Sequence, residues 1–350
     1  MQPAGISQLC ILNHRCLFKP SFFFRKMEEV VIIADSKGKG YDFAKGIYAY
    51  LGKEEEKDIS VKLIDIMITR FKDGEPKIKI AENIRRKTCF FIHDSNKDPY
   101  QWFTELEFTL EAMKSSSPAE TNVVFPYMRF SRQDRKDESR VSSNAKVVAN
   151  AVSKYADRCM TVDLHSPQIQ EFFNIPVDNL YSFPTLINYL QENYSSLLEN
   201  LVVVSPDAGG AKRAEALAKR FSKKGIPSTF AISHKSREKA NEVAKTIIIG
   251  NVEGKNCLIL DDIIDTGGTM ISTTFALKEK GAERIFAYGT HALFTEGVEK
   301  FSSLDKVIVS DTIKTPKAKN VEILSLVDLF GEAIYRTVIG ESLSILFNDE

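Results

Sequence analysis

Short apolar runs alternate with helix-like stretches along almost the whole of this 350-residue chain. Val30–Ala34 is VVIIA, Thr88–Ile92 is TCFFI, Thr121–Phe125 is TNVVF, Leu201–Val204 is LVVV and Cys257–Leu260 is CLIL. Runs this short and this largely apolar are strands buried on both faces. Further strands are expected at Val61–Ile68, Cys159–Leu164, Ser228–Ile232, Thr246–Ile249, Ile285–Tyr288 and Val307–Val309. Helices are expected over Tyr41–Leu51, Phe103–Lys114, Asn144–Ala156, Gly210–Phe221 and Met270–Lys280. Strands alternating with helices make parallel sheets covered on both faces, an α/β fold. The rhythm breaks near Tyr181–Pro184, and a chain of this length suits two domains. The expected units are 28–182 and 183–337, with a tail, 338–350, returning to the first.

The balance of residues removes several function classes. Lys plus Arg number 47 and Asp plus Glu 47, so the net charge is zero. A dedicated nucleic-acid binder normally carries a basic surplus. No apolar run approaches the roughly 20 residues needed to cross a bilayer. Cys10, Cys16, Cys89, Cys159 and Cys257 form no CxxC pair, which argues against a disulfide framework or a structural zinc site and for a reducing compartment. The cytoplasm is therefore the expected location. Residues 1–27 stand apart: they hold no acid but carry Arg15, Lys19, Arg25 and Lys26 among aromatics. They fit a disordered extension, upstream sequence before a start at Met27, or an organelle transit peptide.

The chemistry concentrates at Cys257–Thr269, CLILDDIIDTGGT. A buried strand ends in two acids and runs through Asp265-Thr266-Gly267-Gly268-Thr269 into a helix. Ligands of open α/β sheets dock at the carboxyl ends of strands. Two glycines let backbone N–H groups approach an anion, and the helix N-terminus adds its dipole. Asp261 and Asp262 would repel a bare phosphate, but they suit sugar hydroxyls or a metal. Phosphate at one end and a diol at the other describe a ribose 5-phosphate group. A helix-capping Asp would explain one acid and one glycine, not two acids and TGGT.

Four other stretches are weaker alone. Ser205–Gly210, SPDAGG, puts Asp207 after a strand, where it serves either as a Mg²⁺ ligand or as an ordinary helix cap. His165, in VDLHS, is placed similarly. Arg129–Arg140, RFSRQDRKDESR, is either a solvated charged face or a phosphate-binding stretch rich in Arg. His234–Lys239, HKSREK, is either a solvated loop or one that closes over a polyphosphate. Gly38-Lys39-Gly40 is a fragment of a dinucleotide loop. No P-loop, kinase signature or hydrolase elbow is present.

Taken in order, these stretches resemble the ribose-phosphate pyrophosphokinases (phosphoribosyl pyrophosphate synthetases), class I in particular. RQDRK at Arg132–Lys136, DLHSPQIQEFF at Asp163–Phe173, SPDAGG and DDIIDTGGT all match that family's motifs. So do TRFKDGE at Thr69–Glu75, NIPVDNLY at Asn174–Tyr181 and GESLSILF at Gly340–Phe347. The resemblance runs from about Val30 to Phe347. It implies two phosphoribosyltransferase-like (Rossmann-like) α/β domains and transfer of the β,γ-pyrophosphoryl group of MgATP to the anomeric hydroxyl of ribose 5-phosphate.

By the same resemblance, Lys235 and Arg237 would be catalytic. Arg132, Gln133, Asp137 and His165 would contact ATP. Phe71, Asp73 and Glu75 would complete a neighbouring subunit's adenine pocket, implying a dimer-based oligomer such as a hexamer. His165 and Asp207 would serve Mg²⁺. Asp265, Thr266, Gly267, Gly268 and Thr269 would cradle the 5-phosphate, with Asp261 and Asp262 near the ribose hydroxyls. Arg85, Ser342 and Ser344 would lie near a regulatory phosphate site. The chain departs from the family pattern at Val141–Asn144, at His93-Asp94, at Tyr100–Trp102 and at Asn83. Two alternatives share the fold: a non-catalytic, synthetase-associated regulatory subunit, and a phosphoribosyltransferase. The intact catalytic set argues against the first, and the nucleotide elements against the second.

Overall fold

The computed structural model describes residues 28–53, 59–236 and 245–347. The extension 1–27, with its targeting question, Arg237 and the last three residues, 348–350, lie outside them. The first unit runs β1 (Glu28–Ala34), α1 (Tyr41–Gly52), β2 (Ile59–Arg70), β3 (Pro76–Ile80), β4 (Thr88–Ile92), α2 (Pro99–Ser115), β5 (Glu120–Phe125), α3 (Asn144–Tyr155), β6 (Arg158–Val162) and β7 (Val177–Leu180). The second runs α4 (Phe183–Asn193), β8 (Leu201–Ser205), α5 (Ala211–Lys223), β9 (Ser228–Ser236), β10 (Lys245–Ile249), β11 (Asn256–Ile264), α6 (Gly268–Glu279), β12 (Arg284–Ala292), β13 (Lys306–Ser310) and β14 (Val321–Leu324). A last helix, α7 (Val327–Ile339), follows.

Each unit holds one seven-stranded sheet, in the orders β3-β2-β1-β4-β5-β6-β7 and β10-β9-β8-β11-β12-β13-β14. The second order is the first with every label raised by seven, so the two halves share one topology. Both sheets are parallel except for an antiparallel hairpin at one edge, β2–β3 and β9–β10. Period-two alternation sends side chains to both faces. Val31 and Ile33 join a cluster with Trp102 and Phe125, while Val30, Ile32 and Ala34 join one with Ile47 and Phe330. In β11, Cys257 and Ile259 face one way and Leu258 and Leu260 the other. Burial pushes the Cys89 and Cys257 thiols up to about 12, so neither is a thiolate near neutral pH.

Several elements differ from the sequence expectation. β9 does not stop at Ile232, because residues 232–236 pair with 245–249 of β10. His234 and Lys235 therefore lie on a strand rather than in a loop. β11 passes Leu260 and reaches Ile264, because β12 keeps pace with it to Ala292. Asp261 and Asp262 thus sit inside the strand, not at its end. Phe330, Ala333 and Ile334 of α7 pack into the first unit's core. The chain returns there from Leu326 onward, upstream of residue 338. The strands β3, β7 and β14 were not anticipated: they are sheet edges, short and mixed in polarity, and carry little apolar signal.

The carboxyl ends of the two sheets face each other across a polar seam. Asp163, just beyond β6 with a positive φ of 43°, accepts from the Thr290 hydroxyl at 2.7 Å and from the Ser182 hydroxyl. His291 Nε2 donates to the Val162 carbonyl at 3.2 Å, which leaves Nδ1 to accept from Thr312 Oγ1 at 3.0 Å. These groups are buried, and their pairing holds the two carboxyl ends in one register.

Candidate active site

One cavity of about 400 Å³ opens at this seam. The first unit lines it with Arg132, Gln133 and Asp137 after β5 and with His165 after β6. The second contributes Asp207 after β8, Arg213 on α5, and Asp261 and Asp262 on β11. Residues scattered over 131 positions of sequence, Arg132 to Asp262, converge because they lie beyond parallel strands or, for Asp261 and Asp262, in the carboxyl-terminal half of one.

Asp262 is the hub. It is 3% exposed. Its Oδ2 accepts from His165 Nδ1 at 2.7 Å, and its Oδ1 pairs with Arg213 Nη1 at 2.5 Å. Arg213 Nη2 also donates to the His165 carbonyl at 3.2 Å. Burial pushes the Asp262 carboxyl up, but His165 and Arg213 outweigh it and hold it well below the usual range. The hydrogen bond to Asp262 raises His165 in turn. Asp261 goes the other way: burial, then the neighbouring Asp262 charge, push it up. The two adjacent carboxylates are thus shifted in opposite directions. Both Asp262 oxygens are occupied, while Asp261 lines the cavity beside it.

A second link crosses the seam. Arg132 Nη1 lies 2.5 Å from Asp265 Oδ2, and Thr295 Oγ1 donates to Asp265 Oδ1 at 2.5 Å. Burial raises the Asp265 carboxyl; Thr295 and Arg132 outweigh it and keep it ionised. Gln133 Nε2 donates to Asp137 Oδ1 at 3.1 Å. Asp207 Oδ1 accepts from the Gly210 amide at 2.9 Å, and among the described residues no hydrogen bond takes its other oxygen.

The turn from β11 into α6 requires its glycine. Gly267 has φ 75°, and a Cβ there would stand 2.2 Å from Phe301 Cζ. Thr266 and Gly268 are exposed and Thr269 half-buried, leaving the amides at the start of α6 open to an anion. Gly38 and Gly40 have another explanation. A Cβ at either would meet an Asp94 carboxylate oxygen at 2.6 Å. Those glycines make room for an internal carboxylate, not for a dinucleotide.

The family relationship follows from comparison with known proteins. Residues 39–155 match the N-terminal domain of ribose phosphate pyrophosphokinase, and 176–325 match the phosphoribosyl transferase domain. The ribose-phosphate pyrophosphokinase of Aquifex aeolicus is 40% identical over 327 residues, covering 92% of this chain and 100% of the relative. The Vibrio parahaemolyticus protein of the same name is 43% identical over 297 residues, covering 82% and 92%. The chain belongs to the ribose-phosphate pyrophosphokinase family. It is accordingly an enzyme of phosphoribosyl pyrophosphate synthesis. The crystal structure of phosphoribosylpyrophosphate synthetase from Mycobacterium smegmatis superposes with a TM-score of 0.78 at 28% identity, covering 89% of this chain and all of that one. This agrees with the two α/β units seen here.

Not every expected ribose-phosphate pyrophosphokinase residue reaches the cavity. Phe71, Asp73 and Glu75 form the exposed turn of the β2–β3 hairpin. β1, β4 and β5 separate β2 from β6 in the sheet, a spacing of about 19 Å. Arg85 lies between β3 and β4, and Ser342 and Ser344 follow α7, where their hydroxyls bond each other at 2.8 Å. Among the described residues no hydrogen bond or ion pair joins Arg85 to them. Lys235 lies on β9 opposite Thr246 of β10, and Arg237 falls outside the described residues. Arg213 was missed by the sequence reading. Its signal was its place in the first turn of the helix that follows SPDAGG.

Proposed function

We propose that this enzyme transfers the β,γ-pyrophosphoryl group of ATP to the anomeric hydroxyl of ribose 5-phosphate, releasing 5-phosphoribosyl 1-pyrophosphate and AMP. The observation that carries this reading is the shared cavity. The Arg132–Asp137 stretch, suited to a nucleotide, and Asp261 at the head of the sugar-phosphate loop line the same space. The Arg132–Asp265 pair ties the two together.

The donor set suits Mg²⁺. Among the described residues no three His, Cys, Asp or Glu side chains form a cage, but Mg²⁺ usually binds through one or two carboxylates plus substrate phosphates. Asp207, with one free oxygen, and His165, with Nε2 left over, would hold it. When bound, the metal would neutralise triphosphate charge. The chain's own groups supply orientation and further positive charge. Arg132 approaches from the nucleotide side, and the amides at the start of α6 would hold the 5-phosphate. Lys235 and Arg237 enter by their motif positions. In-line transfer at phosphorus needs positioning and charge neutralisation rather than a covalent intermediate.

The hairpin reading requires a second copy of this chain. Phe71 is 58% exposed and stands at the far edge of its own sheet, so it would serve a neighbour's cavity in a dimer-based assembly such as a hexamer. Phosphorus NMR of the purified protein with MgATP and ribose 5-phosphate, beside Lys235→Ala, tests the reaction. AMP and a sugar-linked pyrophosphate are expected, strongly slowed in the variant. ADP would mean simple phosphoryl transfer. No reaction at all would favour the regulatory-subunit alternative.

A further inference from the structure

A second ion network lies in the first unit, away from the cavity. Lys97 Nζ, its side chain 7% exposed, sits 2.6 Å from Asp35 Oδ2 and 2.5 Å from Glu105 Oε2. Glu105, on α2, is almost fully buried. Its other oxygen accepts from Arg70 Nη2 at 2.7 Å and from Gln101 Nε2 at 2.9 Å. Arg70 ends β2, and its Nη1 donates to the Gly74 carbonyl at 3.2 Å. The path therefore runs from the end of β1, through the loop before α2, to the turn of the β2–β3 hairpin. Two acids and two bases balance along it.

Buried ion networks add little stability over apolar packing of the same shape. What this one fixes is a position. The β2–β3 ladder ends at the Arg70–Pro76 pair. Beyond it the turn is held from within, by the Phe71 amide on the Glu75 carbonyl and the Gly74 amide on Phe71. Among the described residues, Arg70 supplies the side-chain hydrogen bond that reaches the turn from outside. A hairpin tip with exposed side chains is floppy unless something ties it to the core.

We infer that Arg70, clamped by Glu105 and Lys97, is a positioning residue for nucleotide binding: it sets the pose in which the hairpin offers Phe71, Asp73 and Glu75. The inference rests on the reading that this hairpin closes a neighbour's adenine pocket. Arg70 touches no substrate in this account; it acts through the turn. Its side chain is 44% exposed, and removing it leaves Glu105 with Lys97 and Gln101, so the fold survives.

The test compares full-length wild type, Arg70→Met, Arg70→Lys and Phe71→Ala. MgATP and ribose 5-phosphate affinities are read by calorimetry and melting by circular dichroism. For Arg70→Met the expected result is an ATP Kd raised about tenfold, or about 1.4 kcal/mol. The ribose 5-phosphate Kd stays close to wild type, and the melting temperature falls only modestly, because Glu105 keeps Lys97 and Gln101 after losing one cation. Arg70→Lys falls between, since one ammonium cannot span Glu105 and the Gly74 carbonyl as a guanidinium fork does. An unchanged ATP Kd in Arg70→Met overturns the inference, whether or not Phe71→Ala weakens ATP. So does a parallel loss of both affinities with lowered melting, which would mark a purely structural network. A wild type that binds ATP yet yields no AMP would sink the transfer reading while leaving this comparison intact.

Discussion

His165 Nδ1 meets Asp262 Oδ2 at 2.7 Å across 97 residues of sequence. The histidine belongs to the first unit and the aspartate to the second, so the bond exists only when the two sheets face each other. It also fixes the tautomer: Nδ1 is the donor, and Nε2 is left for a ligand. The Arg213 guanidinium on the other Asp262 oxygen makes the aspartate the shared partner of a histidine and a cation.

Asp262→Asn therefore removes a buried charge on which two groups depend. Breaking a buried pair from one side leaves the other charge uncompensated. Urea unfolding should show a loss of about 3 kcal/mol. Turnover measured under folded conditions should fall about 10²-fold, the usual cost of a misplaced stabilising group. A variant with wild-type turnover would remove Asp262 from the account of the site.

Gly267→Ala tests the sugar-phosphate loop. The backbone there is left-handed, and the new methyl would strike Phe301. Overpacking and backbone strain together should cost about 1–3 kcal/mol. Affinity for ribose 5-phosphate should drop more than affinity for ATP. Equal affinities in variant and wild type would contradict the loop's assigned role.

Much of this arrangement was legible beforehand, for a physical reason. Buried parallel strands are apolar throughout, so VVIIA, TCFFI and CLIL announce themselves, and the ligand groups that follow them inherit their place. Edge strands such as β3 and β14 face solvent and lose that signal. Where a strand ends is set by its neighbour, not by its own residues: β11 carries Asp261 and Asp262 inside the sheet because β12 extends alongside. Arg213 and Glu105 were invisible for a related reason. Each is a charged residue on a helix, and only the fold supplies the buried partner that makes it matter.

The hairpin reading predicts complementation between inactive variants. Phe71→Ala lacks a hairpin contact and Lys235→Ala lacks the proposed catalytic cation. If the hairpin serves a neighbour, mixed oligomers contain some sites with both parts intact. Random pairing should restore activity at about a quarter of sites. No recovery after the two are dissociated and reassembled together would mean that the hairpin acts within its own protomer.

Acid sensitivity should trace in part to His93. Burial, then the Lys97 charge, push its imidazole down to about 3 from 6.5, and burial also lowers His291. Between those values the unfolded chain binds protons that the folded chain refuses, so stability falls as pH drops from 6.5 toward 3. At pH 5.5 the His93 share is about 1 kcal/mol. His93→Gln can still donate to the Trp102 carbonyl that His93 Nε2 reaches at 2.9 Å. Urea unfolding at pH 7.5 and 5.5 should show a shallower decline in the variant. An identical decline would place the acid-sensitive group elsewhere.

In the proposed reaction two phosphoryl units move together onto the sugar. ATP labelled at its β-phosphorus, mixed with enzyme and ribose 5-phosphate and quenched within one turnover, tests this directly. Label in the sugar pyrophosphate and unlabelled AMP are expected. Label retained in ADP would contradict that reaction.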